Sequence, residues 1–251
     1  MSVVVIGASG DLAKKKTYPA LFGLFQRGML PEGLRIVGYA RSKKTNKELR
    51  DMIRPYLKKS SPDKDEKIEA FLTRCDYHIT PGYDSMEGMS SLIQKLSVTE
   101  GKTGKCNRVY YLAVPPFVFV GACRTIHRYG VAKHGWTRIV VEKPFGRDTS
   151  SSNELSRDLA ALFPEKFLYR IDHYLGKEMV QSLLVLRFAN QFFEPLWNHH
   201  FISCVYISFK EPFGTEGRGG YFDKYGIIRD VIQNHLLQVL SLVAMEPPIG
   251  T

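Results

Sequence analysis

The chain has 251 residues, of which 44% are hydrophobic and 24% are charged, and its formal net charge is +10. These values are ordinary for a folded protein, so they exclude a disordered or fibrous chain, and the length suits one large domain or two modest ones. Residues 1–150 carry 26 basic and 14 acidic side chains, so the whole basic excess lies there. That excess indicates either a local anion site or a lysine-rich solvated surface.

The four cysteines, Cys75, Cys106, Cys123 and Cys204, are far apart and form no C-x-x-C pair. This spacing predicts neither a zinc site nor a disulfide framework, and it is typical of reduced thiols in a cytosolic protein. No apolar run reaches the roughly 18 residues of a spanning helix, and the first residues lack the pattern of a secretory signal. We therefore expect a cytoplasmic protein with no metal and no membrane partner.

Short apolar runs alternate with helical patterns in the first two thirds of the chain. The predicted strands are Val3–Ile6, Arg35–Gly38, Asp76–Ile79, Val109–Val114, Arg138–Val141 and Phe167–Ile171. The predicted helices are Lys14–Arg27, Asn46–Lys58, Met89–Leu96, Phe119–Tyr129 and Ser151–Leu162. Apolar strands separated by helices predict an α/β fold, a Rossmann-type doubly wound parallel sheet. The lysine-rich stretch Lys58–Lys67 is predicted to form exposed loop or helix ends.

After Leu175 the pattern changes to that of a second domain of α+β type. The sequence predicts a helix over Met179–Asn198, a strand over Cys204–Phe209 and a second long helix over Ile227–Met245. The predicted domains are therefore 1–172 and 173–251. A single strand cannot form a stable sheet, so we expect the second domain to be only partly contained in this chain.

The first predicted strand runs directly into a turn made of Gly7, Ala8, Ser9, Gly10, Asp11 and Leu12. Glycines let the backbone approach a pyrophosphate, and the N–H groups at the start of the next helix complement its charge. Ser9 replaces the second glycine of the usual motif. The position after the first strand of a βαβ unit nevertheless favours dinucleotide binding over a merely structural turn.

The end of the second predicted strand indicates which dinucleotide is bound. NAD-binding folds usually place an acidic residue there to hold the ribose 2′-hydroxyl. In this chain Gly38 is followed by Tyr39, Ala40 and Arg41, with no acidic residue. Arg41 is either an ordinary surface arginine or a bidentate ligand of a 2′-phosphate. Together with the glycine turn, it predicts NADP as the cofactor.

Polar groups follow two further predicted strands. Glu142 and Lys143 come after one of them, and Asp172, His173 and Lys177 come after the other. Because ligands bind at the carboxyl ends of parallel strands, we expect both segments to face the crevice beside the glycine turn. An aspartate, a histidine and a nearby lysine supply an orienting group, an imidazole and a cation, which suits a phosphorylated hydroxyl substrate.

These segments, taken in chain order, resemble the glucose-6-phosphate dehydrogenase family. The similar strings are Gly7–Ala13, Gly38–Ser42, Glu142–Gly146, Arg170–Glu178, Phe209–Gly220, Gly226–Asp230 and Gln233–Leu237. The string Arg170–Glu178 is the most specific. The resemblance implies an oxidoreductase that transfers a hydride from C1 of glucose 6-phosphate to NADP. The product would be 6-phosphogluconolactone, in the first step of the oxidative pentose phosphate pathway. The same resemblance implies that domain 1–172 binds NADP and that 173–251 is part of an α+β substrate domain, which serves substrate binding and oligomerisation.

The resemblance also implies the catalytic residues. His235 matches the general base that takes the proton of the C1 hydroxyl, and Asp172 matches the carboxylate that orients its imidazole. By itself, a histidine in an apolar helix is more often a buried structural residue, so this assignment depends on the resemblance. Lys143 matches a lysine that reaches both substrate and nicotinamide, and a cis bond is expected before Pro144.

The substrate-binding residues follow in the same way. His173, Tyr174 and Lys177 match positions that hold the substrate phosphate. Glu211 and Asp230 match carboxylates that accept hydrogen bonds from sugar hydroxyls.

The chain departs from the family in two respects. Phe119 stands where some members have a tyrosine that contacts the cofactor. Family members also continue for about as many residues again, including most of the oligomer surface and, in some, a second NADP site. We expect the full-length protein to be a homo-oligomer, either a dimer or a tetramer.

Two other functions are compatible with the sequence. The chain could be another NADP-linked sugar dehydrogenase, or a non-catalytic NADP-binding fragment. A nucleic-acid partner is not expected, because the basic residues are not interleaved with aromatic ones and no binding module is visible.

Overall fold

The chain forms two compact units, Met1–Ile171 and Asp172–Thr251, in a computed structural model. The structure describes residues 1–101, 106–146, 148–212, 214–215 and 219–248. The boundary between the units lies one residue before the predicted domain boundary.

A six-stranded parallel sheet forms the centre of the first unit, with the strand order β3-β2-β1-β4-β5-β6. The strands are β1 (Ser2–Ile6), β2 (Arg35–Ala40), β3 (Cys75–Ile79), β4 (Arg108–Leu112), β5 (Thr137–Glu142) and β6 (Leu168–Ile171). This is the strand order of the doubly wound Rossmann fold. Successive strands are added on one side of β1 up to β3 and on its other side from β4 onwards. The predicted Rossmann-type sheet is confirmed, and each predicted strand overlaps an observed one.

Helices connect the strands of this sheet. They are α1 (Tyr18–Gln26), α2 (Asn46–Ser60), α3 (Asp65–Leu72), α4 (Met86–Glu100), α5 (Phe119–Thr125) and α6 (Thr149–Leu162). Ala13–Thr17 and Ile126–Gly130 are π-helical, and Pro116–Val118 and Glu165–Phe167 are 3₁₀-helical. The start of α2 is fixed by a capping box, in which Thr45 and Glu48 bond each other's backbone N–H groups.

The sheet is buried on both faces because the side chains of each strand alternate between them. Val4 and Ile6 of β1 belong to one hydrophobic cluster, and Val3 and Val5 belong to the other. All five residues of β1 are therefore buried, which explains why its sequence is apolar without alternation.

The helix α3 is not among the predicted helices. Its residues Ile68, Phe71 and Leu72 are buried in one of the two clusters. Lys64 and Lys67 are exposed, so lysines on the solvent side obscured the apolar spacing. The prediction for Lys58–Lys67 is confirmed, because this stretch contains the end of α2, a turn and the exposed start of α3.

The second unit is helical wherever the structure describes regular elements in it. These elements are α7 (Glu178–Phe188), a 3₁₀ turn (Glu194–Leu196), α8 (Gly219–Ile227), a π-helix (Ile228–Leu236) and α9 (Leu237–Ala244). Arg187 of α7 donates hydrogen bonds to the carbonyl oxygens of Leu242 and Met245, at 2.6 and 2.8 Å. These bonds tie α7 to the C-terminal end of α9.

Two predictions for the second unit are wrong. The helix predicted over Met179–Asn198 ends at Phe188, because the Asn190 amide donates to the carbonyl oxygens of the last turn and the asparagine competes with the helical backbone. The segment Cys204–Phe209 forms no strand. A strand is stable only within a ladder, and the described residues of this unit offer no second strand.

A buried ion pair provides a test of this packing. Arg108 of β4 donates to Glu100 of α4 at 2.6 Å, and both side chains are 5% exposed. Arg108→Met leaves the Glu100 charge buried without its guanidinium, so we expect the free energy of unfolding to fall by about 3–5 kcal/mol in denaturant titrations. Lys47→Met, which breaks an exposed pair with Asp51, should cost less than about 1 kcal/mol. Equal losses for the two variants would contradict the expectation.

Candidate functional site

The glycine turn leaves β1 where the backbone has no room for a side chain. Gly7 has a φ of +85°, and a Cβ there would lie 2.4 Å from the carbonyl oxygen of Ala113. The N–H of Gly7 donates to the carbonyl of Tyr39 at 2.8 Å, and the N–H of Gly10 donates back to Gly7 at 2.9 Å. A helical segment follows at once, so the turn leads into a helix N-terminus, as a pyrophosphate site requires.

A glycine of β2 allows this turn to pack against the sheet. A Cβ on Gly38 would lie 2.7 Å from the Cβ of Ala8 and 2.8 Å from the hydroxyl of Tyr18. Ala8 and Tyr18 are fully buried, so neither can move aside cheaply. The close approach of the backbones at Gly7 and Gly38 fits a dinucleotide fold.

Charged side chains at the turn leave a positive balance. The carboxylate of Asp11 lies 2.9 Å from the Nζ atoms of both Lys14 and Lys15. Hydrogen bonds from these lysines lower the pKa of Asp11 to about 2. One negative charge is therefore matched by two positive ones at the start of the helix, which favours an anionic ligand.

Arg41 is exposed directly after β2. Its guanidinium carbon lies 5.4 Å from the centre of the Tyr83 ring, within the range of a cation–π contact. Burial raises the pKa of Tyr83, and the charge and hydrogen bond of Arg41 oppose that rise. The arginine is thus accessible to a phosphate while its side chain rests on an aromatic ring.

A buried hydrogen bond fixes the end of β5. Glu142 is 6% exposed and accepts a hydrogen bond from the hydroxyl of Tyr111 on β4. Burial, followed by the Glu142 carboxylate, raises the pKa of Tyr111. The next peptide bond, Lys143–Pro144, is cis, which confirms that expectation. Lys143 therefore follows a strand end that is held in place by its neighbours.

In the second unit, Asp172 and His235 lie side by side. The Nδ1 atom of His235 is 3.6 Å from an Oδ1 of Asp172, and the side chains are 9% and 12% exposed. The same Asp172 oxygen accepts the backbone N–H of Tyr174 at 3.0 Å. A carboxylate beside Nδ1 leaves the other ring nitrogen, Nε2, to accept a proton. Catalytic pairs are often this long before a substrate binds.

Aromatic rings surround the histidine of this pair. The Tyr174 ring stacks on His235 with centroids 4.5 Å apart, and His173 meets it edge-on at 5.8 Å. The Nζ atom of Lys177 lies 4.2 Å from the Tyr174 centroid and 5.6 Å from that of Phe209. The structure thus brings together five of the predicted residues, namely Asp172, His173, Tyr174, Lys177 and His235.

His235 belongs to the π-helix Ile228–Leu236, which also contains Asp230. A π-helix joins each residue to the fifth one along by a backbone hydrogen bond. Asp230 and His235 are five positions apart, a spacing that a π-helical backbone hydrogen bond spans, whereas an α-helix would turn the two residues well apart. Single π-helical turns are frequent at functional sites.

The remaining predicted substrate residue, Glu211, is exposed and lies close enough to Tyr174 for its charge to help raise the pKa of that tyrosine, after burial. Phe209 contacts Tyr174 with ring centroids 5.7 Å apart, and it is not among the site residues that the sequence predicts. An aromatic residue in an apparent strand is predicted as core, and only its place in the family-like string Phe209–Gly220 singled it out. Residues 213 and 216–218 of that string lie outside the described residues.

Four further observations concern residues and groups that the sequence analysis considered. Phe119 is fully buried in the core of the first unit. A cavity of about 540 Å³ in the second unit is lined mostly by apolar side chains such as Trp197, Val239 and Val243, and His235 and Lys177 are not in its lining. In the described ranges, no group of three or more His, Cys, Asp or Glu side chains could hold a metal ion. No helix among those residues is long and apolar enough to cross a membrane.

The fold and the turn define a dinucleotide-binding domain of the Rossmann class, followed by a unit in which an aspartate and a histidine lie side by side. Two family models match the chain. One is described as the NAD binding domain of glucose-6-phosphate dehydrogenase and matches residues 4–182, and the other is its C-terminal domain and matches residues 184–251. The chain belongs to the glucose-6-phosphate dehydrogenase family.

Individual relatives agree with the family models. The chain is 56% identical, over its full length, to the cytoplasmic glucose-6-phosphate 1-dehydrogenase 5 of Arabidopsis thaliana and covers 50% of it. It is 53% identical to the chloroplastic enzyme 1 of the same plant, of which it covers 44%. A solved glucose-6-phosphate dehydrogenase in complex with its substrate glucose-6-phosphate is 50% identical, with a TM-score of 0.94 over 99% of this chain and 52% of that one. The chain spans about half the length of these relatives.

The glycine turn generates a prediction about cofactor binding. Gly7→Ala places a methyl group against the Ala113 carbonyl at a positive φ, so the turn must shift. We expect the affinity for a nicotinamide dinucleotide, measured by calorimetry, to fall at least about tenfold. Gly23→Ala is the matched control, because a Cβ there meets nothing within 4 Å. An unchanged affinity in Gly7→Ala would contradict the assignment of the turn.

Proposed function

We propose that the protein oxidises glucose 6-phosphate at C1 with NADP as the hydride acceptor and releases 6-phosphogluconolactone. The observation that carries this proposal is the cluster of Asp172, Tyr174, Lys177 and His235 in a chain of this family. The bound dinucleotide supplies the acceptor for the hydride. The turn Gly7–Leu12 and Arg41 would hold it, together with Lys143.

In this proposal His235 accepts the proton of the C1 hydroxyl. Its Nδ1 faces Asp172, which leaves Nε2 to take the proton as the C1–H bond breaks. The Asp172 carboxylate then stabilises the imidazolium. Both electrons of the C1–H bond leave with the hydride, and the oxygen left behind forms the lactone carbonyl.

Recognition of the sugar phosphate is the task of the residues around Tyr174. Lys177 supplies a cation, and His173 and Tyr174 supply hydrogen-bond donors beside it. In this proposal Glu211 and Asp230 accept hydrogen bonds from the sugar hydroxyls. The shared π-helix supports the role of Asp230, because its backbone hydrogen bonds span the five positions between that residue and the base.

We also propose a cytoplasmic location and a homo-oligomer for the full-length protein. Relatives named as cytoplasmic support the location, although others are named as chloroplastic. What the family resemblance implies supports the homo-oligomer.

The base assignment predicts a specific loss of turnover. His235→Asn removes the proton acceptor, so we expect turnover to fall by roughly 10²–10⁴-fold with little loss of sugar-phosphate binding. Reduced nicotinamide is followed by absorbance with glucose 6-phosphate and NADP. The control is His200→Asn, an exposed histidine of the same unit, which should keep full turnover.

The outcomes of this assay separate the candidate functions. Near-normal turnover in His235→Asn would contradict the base assignment. NADP binding with no turnover in the unaltered chain would support the alternative of a non-catalytic binding fragment. Turnover of free glucose but not of glucose 6-phosphate would support another sugar dehydrogenase.

Arg41 generates the prediction on cofactor choice. Because a guanidinium binds a 2′-phosphate through charged hydrogen bonds, Arg41→Ala should weaken NADP binding by roughly ten- to a hundredfold. NAD lacks that phosphate, so its dissociation constant should stay within about twofold. Arg27→Ala, an exposed arginine at the end of α1, is the control. An unaltered NADP-to-NAD affinity ratio in Arg41→Ala would remove it from the site.

A further inference from the structure

The segment that carries Arg41 is held in place by the hydroxyl group of Tyr77, a residue of β3. The Tyr77 hydroxyl donates to the carbonyl oxygen of Ser42 at 2.9 Å and lies 2.8 Å from the Ser42 hydroxyl. A phenol has one hydrogen, which is used on the carbonyl, so Ser42 donates the second bond. Both bonds fall on the residue directly after Arg41.

Tyr77 is itself fixed in position. It pairs with Gly38 in the β2–β3 ladder, and its backbone N–H donates to the Asn46 side chain at 2.7 Å. Its ring lies against Gly38, where a Cβ would be 3.2 Å from it, on the side where Ala8 of the glycine turn also packs. One tyrosine therefore contacts the strand beneath the turn and the segment after β2.

Packing alone does not explain the hydroxyl. Tyr77 is 5% exposed, and a phenylalanine would fill nearly the same volume. The hydroxyl is instead bonded to a segment whose arginine side chain is exposed. The guanidinium is attached to the backbone through a long side chain. Its position therefore depends on where the backbone of residues 41 and 42 is held.

We propose that Tyr77 is a positioning residue for cofactor selectivity. Through Ser42 it holds the backbone of Arg41 where the guanidinium meets a 2′-phosphate, and it does not touch the cofactor itself. The inference rests on the proposed preference for NADP. It requires that loss of the hydroxyl weaken NADP binding and leave NAD binding nearly unchanged, because NAD has no 2′-phosphate for Arg41 to meet.

The test is Tyr77→Phe, with dissociation constants for NADP and NAD measured by calorimetry on this chain. We expect the NADP constant to rise by roughly three- to tenfold, the effect of one or two hydrogen bonds, and the NAD constant to stay within about twofold. Tyr110→Phe is the matched control. Its buried hydroxyl donates to the Gly130 carbonyl at 2.7 Å, so its loss should change neither constant.

A second set of measurements identifies the route of the effect. In an Arg41→Ala background, Tyr77→Phe should cause no further loss of NADP affinity, because the two residues act through one contact. Additive losses, or equal losses for NADP and NAD, would overturn the inference. If Tyr77→Phe does not fold, Ser42→Ala removes one of the two bonds and should lower the affinity ratio by about twofold or more, and an unchanged ratio would overturn the inference.

The proposed function fails separately from this inference. An unaltered chain that binds NADP and NAD equally would contradict the proposed cofactor choice. A chain that prefers NADP, loses the preference in Arg41→Ala and keeps it in Tyr77→Phe would contradict only the role of Tyr77.

Discussion

The close approach of two backbones at the end of β1 is the constraint on which the first unit depends. β1 lies at the centre of the parallel sheet, between β2 and β4, and the chain must turn there against the Ala113 carbonyl. Only a glycine fits at position 7, at a positive φ and without a side chain. The same turn packs through Ala8 onto Gly38 of β2, so the phosphate turn and the strand that leads to Arg41 are parts of one packed layer. Dinucleotide binding follows from this layer, because both features lie at the carboxyl ends of neighbouring strands.

The second unit brings the proposed base, His235, beside Asp172, although the two residues are far apart in the sequence. The segment from Asp172 to Lys177 supplies the orienting carboxylate, the stacking ring of Tyr174 and a cation within six consecutive residues. His235 lies in the π-helix Ile228–Leu236. Because the ring of Tyr174 contacts both His235 and Lys177, the groups proposed for proton transfer and for phosphate binding share a support. A substitution at Tyr174 would therefore disturb both steps at once.

Much of the first unit could be predicted from sequence, for physical reasons that the second unit lacks. β1 reads as a strand because both of its faces are buried, and the glycine turn follows it directly. The helix α3 was obscured by exposed lysines beside its buried face. In the second unit, α7 ends early because of the Asn190 amide, a local competition that apolar spacing does not reveal. The alternation over Cys204–Phe209 predicts a strand, but alternation does not encode a partner strand.

Some site residues can be predicted from a pattern in the sequence, and others cannot. The turn and Arg41 follow from the chemistry of strand ends. His235 came only from the family resemblance, because apolar spacing cannot distinguish a π-helix from an α-helix or bring distant residues together. Tyr77 and Tyr83 contact the segment that follows β2, and such contacts leave no pattern in the sequence.

The central claim is that a hydride passes directly from the sugar phosphate to the dinucleotide, and isotope transfer tests it most directly. Glucose 6-phosphate deuterated at C1 is incubated with the protein and NADP, and the reduced cofactor is examined by mass spectrometry. The account predicts reduced NADP that carries one deuterium, because the C1–H bond is the one that breaks. Reduced NADP without deuterium, or no reduced NADP from a protein that binds both ligands, would contradict it.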